Sequence, residues 1–209
     1  MKIEKLYQRY LRLVEELKKE KRLDVTVARE RPAKLETIER YEEKHDLRFP
    51  DDLKVFWTLY DRDLSIAIEN DEDDFAAGGL SFVTFSIFKR DRDQHHEAAA
   101  AVDEGSFDRA LYRHGLFFTF ERPQLVYLEA PGWEPGVFQL YQNQENQNRP
   151  ITRTFTELFE AYLDAGCFCS HDIGFYWSAV KDLLPAGRPP SENPWLLYYA
   201  ESFDQTLPD

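Results

Sequence analysis

The sequence predicts an α+β fold in which helices and strands are segregated along the chain. Two stretches near the N-terminus carry apolar residues at three- and four-residue steps. A central stretch changes to alternation and β-prone runs, and the helical period returns at 154–163. Helices, then strands, then helices is not the alternation of βαβ units. The expected architecture is a mainly antiparallel sheet flanked by N-terminal and C-terminal helices.

The first helix is expected from about residue 2 to 21, with Ile3, Leu6, Tyr7, Tyr10, Leu13, Val14 and Leu17 on one stripe. Lys18, Lys19, Lys21 and Arg22 fall at its end, where cations complement the helix dipole. Arg31, Pro32 and Ala33 break the pattern. Leu35, Ile38 and Tyr41 begin a second helix that runs to about His45, closed by Leu47 and Phe49. Pro50 opens a third helix, and Asp51 and Asp52 follow in its first turn, where negative charge meets exposed N–H groups. Leu53, Phe56, Trp57 and Tyr60 form its apolar face. The aspartate pair therefore reads as a helix start and not as a catalytic pair, since no His, Ser or Cys lies at helical spacing from it.

Leu64, Ile66 and Ile68 alternate with smaller or polar residues, which predicts a strand. An acidic run follows, from Glu69 through Asp71, Glu72, Asp73 and Asp74. Residues 80–88 (LSFVTFSIF) read as a strand and 95–105 as a short Ala-rich helix ending at Gly105. LFFTF and LVYLEA, split by Arg122-Pro123-Gln124, predict a hairpin, and 136–142 a further strand. A helix from Thr154 to Leu163 shows a capping-box spacing, Thr154 to Glu157, and an unbroken period in Phe155, Leu158, Phe159, Tyr162 and Leu163. Gly166 is its expected stop. A short helix is expected near 176–184, and the aromatic, Pro-rich remainder is expected to pack on the body.

The chain has 209 residues and a formal charge of −13, unevenly distributed. Residues 1–34 hold 11 basic and 6 acidic residues, whereas residues 35–209 hold 15 basic and 33 acidic ones. An acidic body makes nucleic acid an unsuitable partner, because phosphate contact needs Lys and Arg to displace counterions. It suits a basic protein, steered electrostatically, and Glu69 with Asp71–Asp74 is the candidate contact. Cys167 and Cys169 are the only cysteines, too few for a disulfide framework and consistent with a reducing compartment. The N-terminus lacks a continuous apolar run and no stretch of about 18 apolar residues occurs, so neither a signal peptide nor a membrane span is expected. A cytoplasmic location follows as the expectation.

No phosphate-binding glycine loop, dinucleotide fingerprint, zinc-protease helix or nucleophile elbow occurs. His95 and His96 are adjacent, and neighbours on a helix point about 100° apart, which suits no shared metal. C-x-C with His171 nearby falls short of four zinc ligands. No cofactor, metal or catalytic set is expected. An enzyme, if present, would draw on His114, His171, Asp172 and the cysteines.

The stretch RPAKLETIERYEEKHDLRFPDDLKVFWTLYDRD, followed by strands and closing on TFTELFEAYL, resembles the SUKH superfamily, which includes Smi and Knr type yeast cell-wall regulators and many bacterial proteins. Phe49-Pro50 stands at the family's Leu-Pro position and Phe56 at its usual phenylalanine. Ile38 and Tyr41 fall on the preceding helix, and Trp57 lies beside Phe56 on the aromatic helix. Phe155, Leu158, Phe159 and Leu163 form its closing helix. Asp61-Arg62 replaces the family's frequent Asn-Gly, and Arg122-Pro123-Gln124 its Gly-Asp turn. The resemblance implies a SUKH-like domain over 30–165, with an N-terminal helix at 1–29 and a C-terminal extension at 166–209 packed on it. It also implies binding without chemistry: a bacterial immunity protein that neutralises a toxin, often a nuclease, or an intracellular regulatory scaffold that binds an endogenous protein.

Overall fold

The computed structural model describes residues 2–46, 48–69, 75–79, 82, 84–101, 115–117, 124–128, 138–141, 149–185 and 187–208. Helices and antiparallel strands share the chain, so the class is α+β. The chain divides into two units, Met1–Glu30 with Asp61–Ser81 and Thr156–Asp209, and Arg31–Tyr60 with Phe82–Phe155.

The first unit begins with α1 (Lys2–Leu17), whose seven stripe residues are all buried. The helix stops at Leu17, short of the expected residue 21. The basic residues beyond it find local partners instead of a helix end. Lys18 pairs with Glu15 at 3.4 Å and Lys19 with Glu16 at 2.7 Å. Arg22 pairs with Glu20 and donates to the Ala179 carbonyl at 3.2 Å. A strand that the periodicity does not announce follows, β1 (Asp24–Arg29). Only Val25 and Val27 are half-buried in it and its other residues are exposed, as on the edge of a sheet.

β1 pairs with β2 (Arg62–Glu69), β2 with β3 (Phe75–Gly78), and β3 with β8 (Phe168–His171), each antiparallel. Leu64, Ile66 and Ile68 of β2 are buried and Ser65 is exposed, so the predicted alternation holds. Gly78 is required where it stands, because a Cβ there would collide with the ring and hydroxyl of Tyr176. That hydroxyl donates to the Gly166 carbonyl at 2.6 Å.

Helix α5 (Phe155–Asp164) ends as its glycine foretold. Gly166 and Cys167 both adopt left-handed backbone, with φ of 63° and 64°. Cys167 N–H donates to the Tyr162 carbonyl at 3.0 Å and Gly166 N–H to that of Leu163 at 3.1 Å, the paired bonds of a Schellman stop. Helix α6 (Ile173–Val180) begins earlier than expected, because Asp172 caps it by accepting from Phe175 N–H at 2.7 Å. A 3-10 turn, η1 (Lys181–Leu183), and a second, η2 (Pro190–Glu192), lead to α7 (Pro194–Ser202). Buried Asn193 caps α7 and donates to the Ala161 carbonyl at 2.9 Å, while Trp195 Nε1 donates to that of Phe168 at 2.7 Å. The tail aromatics Trp195, Tyr198 and Tyr199 are buried, packed near Tyr162 and Phe168.

In the second unit, α2 (Leu35–His45) and α3 (Asp51–Leu59) occupy the expected positions, with Pro50 just ahead of α3. Ile38, Phe49, Phe56, Trp57 and Phe155 are buried, Tyr41 and Pro50 half-buried. Phe49 and Trp57 meet edge to face at 5.1 Å, and Phe56 lies 4.8 Å from Phe155. Asp51 pairs with Lys54 at 3.0 Å and Asp52 accepts from the Leu53 N–H, so both act within the helix start.

The expected strand over 80–88 is corrected from Phe85 onward, where a helix opens, α4 (Phe85–Ala99); residues 80, 81 and 83 lie outside the described residues. Thr84 stands before it, accepting from Ile87 N–H through Oγ1 and from Phe88 N–H through its carbonyl. Phe85, Phe88 and Arg92 are buried at helical spacing, and Phe85 and Phe88 both pack on Trp57. Burial of that face overrides the β-propensity of Phe, Val, Thr and Ile. α4 takes in residues 95–99 of the helix expected at 95–105; residues 100 and 101 form a turn, and 102–105 lie outside the described residues. The second sheet runs β4 (Gly115–Phe117), β5 (Gln124–Leu128), β6 (Phe138–Tyr141), β7 (Arg149–Thr152), all antiparallel. It contains the expected hairpin and the strand after it.

Candidate functional site

The acidic run begins where a described strand stops. Glu69 is the last residue of β2 and stands opposite Phe75, the first of β3. Five residues, 70–74, connect these ends, so Asp71, Glu72, Asp73 and Asp74 lie outside the described residues, as does the Glu69 side chain.

The residues that a catalytic reading would use are dispersed in role. Asp172 is engaged as the α6 cap. Cys167 and Cys169 are buried free thiols. Burial pushes the Cys167 thiol up from 9.0 to about 12, against a smaller opposing hydrogen bond from Tyr162, so it is held as the neutral thiol and not as a nucleophile. His114 and the His171 side chain lie outside the described residues. Among the described residues no group of three or more His, Cys, Asp and Glu side chains is placed to hold a metal ion, and no helix is long and apolar enough to cross a membrane.

A polar cluster on α1 was not foreseen. Tyr7 Oη donates to Asp61 Oδ1 at 2.6 Å and accepts from the Asp61 N–H at 2.9 Å. Burial first, then the hydrogen bond to Asp61, raises the Tyr7 hydroxyl pKa far above its ordinary value, so it stays a donor. Tyr10 Oη donates to the Arg62 carbonyl at 2.9 Å. These bonds hold the start of β2 against α1 and set Arg62 beside Arg9 and Arg12. The three arginines share an open groove of about 910 Å³ with Leu183, Leu184 and Pro185, where η1 meets α1. Arg9 pairs with largely buried Asp164 at 2.7 Å. Arg62 pairs with Glu15 at 3.4 Å and lies 3.7 Å from Asp61. The signal for this site was present in the sequence as Arg9 and Arg12, three residues apart on the flank of the apolar stripe. Its other wall, at 183–185, is distant in sequence and invisible to periodicity.

Comparison of the chain with family models, with curated proteins and with solved structures found no match.

Proposed function

We propose that this chain is a non-catalytic protein-binding module, an immunity protein that sequesters a basic toxin domain, with the acidic run from Glu69 to Asp74 as its contact. The observation that carries the reading is the charge segregation: 33 acidic against 15 basic residues over 35–209, with four of the acids consecutive at 71–74. A nuclease toxin must bind a polyanion, so its active surface is basic, and an acidic inhibitor is drawn to that surface and occludes it. The resemblance of residues 30–165 to the SUKH superfamily adds to the reading. An intracellular location, in the compartment where an incoming toxin would act, accords with the two free thiols.

The test is co-purification with a basic toxin domain, sought among the genes beside this one. The wild type is expected to hold it at physiological salt. A variant with Asp71→Asn, Glu72→Gln, Asp73→Asn and Asp74→Asn is expected to bind at least about tenfold more weakly, mainly through slower association. Equal binding of an unrelated basic protein would overturn the proposal.

A further inference from the structure

We propose that the groove between α1 and η1 is a binding site for a small amphipathic carboxylate, an apolar body ending in one negative charge. The inference is independent of the toxin reading and concerns different residues.

The lining mixes two chemistries. Leu11, Leu183, Leu184 and Pro185 are apolar, and Arg9, Arg12 and Arg62 are cationic. The volume, about 910 Å³, lies within the range of sites that hold small organic molecules. The lining positions on α1 run from Gln8 to Glu16, about 12 Å of helix. That length suits a small molecule better than an extended peptide, for which it offers room for only about four residues.

The charges in the groove select a monoanion. Glu15 and Asp61 are matched by Lys18 and Arg62, Glu16 by Lys19, and Asp164 by Arg9. Arg12 is exposed and makes no ion pair among the described residues, which leaves one positive charge in surplus. A carboxylate presents two oxygens that match the fork of a guanidinium. A dianion would meet Glu15 and Glu16 at close range. The chain's net charge of −13 does not oppose this locally, because charges beyond about 8 Å are largely screened at physiological salt.

Titration calorimetry of the full chain with decanoate, kept below its micelle concentration, tests the site. Saturable binding to the wild type is expected, with decylammonium and acetate each binding at least about tenfold more weakly, since one reverses the charge and the other lacks the apolar body. Arg12→Gln is expected to weaken decanoate binding about tenfold with an unchanged melting temperature, because Arg12 is exposed and makes no ion pair among the described residues. Leu184→Asp is expected to abolish it. Absence of decanoate binding at millimolar concentration, equal binding of decylammonium or acetate, or undiminished binding by Arg12→Gln would each overturn the proposal. The three-ligand comparison uses the wild type alone and does not depend on any variant folding.

Discussion

Cys167 combines two unusual properties, left-handed backbone in a residue with a side chain and complete burial. Its thiol, together with the buried hydroxyls of Tyr10 and Tyr176, ties stability to alkaline pH. Burial is the largest cause in all three cases, and it raises each pKa in the folded chain. When the chain unfolds, each group regains its ordinary value and releases its proton at a lower pH. The unfolded state therefore binds fewer protons above about pH 9, and stability falls as pH rises. Below the ordinary thiol value the contribution is fully present. Each such group removes up to about 1.4 kcal/mol per pH unit within its window. The urea midpoint is expected to be lower at pH 10.5 than at pH 8, and an unchanged midpoint would contradict the burial of these groups. In the same buffer at pH 8, a thiol-reactive disulfide reagent is expected to modify neither cysteine in the folded chain and both in urea.

Between elements, Glu42 does work that no charge pattern reveals. It lies on α2, yet only 3% of it is exposed. One carboxylate oxygen accepts from the Phe49 N–H at 2.6 Å and the other meets Lys54 at 3.4 Å. Burial opposes the Lys54 ammonium, but hydrogen bonds and charges from Asp51 and Glu42 outweigh it and hold the group above its ordinary pKa. Glu42 thereby joins the end of α2 to the start of α3. Glu42→Ala leaves the Phe49 N–H without its acceptor and is expected to lower unfolding stability by about 1–3 kcal/mol. Exchange of the Phe49 amide with solvent, measured by hydrogen exchange, is expected to accelerate with it. The helices with clean periods, α1, α2, α3 and α5, were legible because one face alone carries large apolar side chains. β1 was not, since its alternation, Asp24-Val25-Thr26-Val27, is only four residues long and leaves Val25 and Val27 no more than half-buried. α4 was misread because its composition favours a strand, while its conformation follows from the packing of Phe85 and Phe88 on Trp57. The acidic run was legible as a charge feature, whereas the arginine groove was not, because its two walls lie about 170 residues apart.

For the whole molecule, the first unit is complete only when the last stretch of chain has been made. The first unit draws on three separated stretches, Met1–Glu30, Asp61–Ser81 and Thr156–Asp209. α1 rests on partners made late: Tyr10 lies 5.9 Å from Phe159, and Arg9 pairs with Asp164. β3 has β8 as its neighbour, and Trp195 bonds to the β8 backbone. A chain ending after Asp164 lacks β8, α6 and α7. The amides of α1 and β1–β3 in that shortened chain are expected to exchange at rates near those of an unfolded peptide, and retained protection would contradict the assembly described. The same arrangement has a consequence on the ribosome. At about 5–20 residues per second, α1 emerges on the order of ten seconds before Phe159 does. Throughout that interval the apolar stripe of Ile3, Leu6, Tyr7, Tyr10, Leu13, Val14 and Leu17 lacks its α5 partner. A nascent chain in this condition is a natural client for a chaperone that binds short hydrophobic segments, and the first twenty residues are where it would be captured.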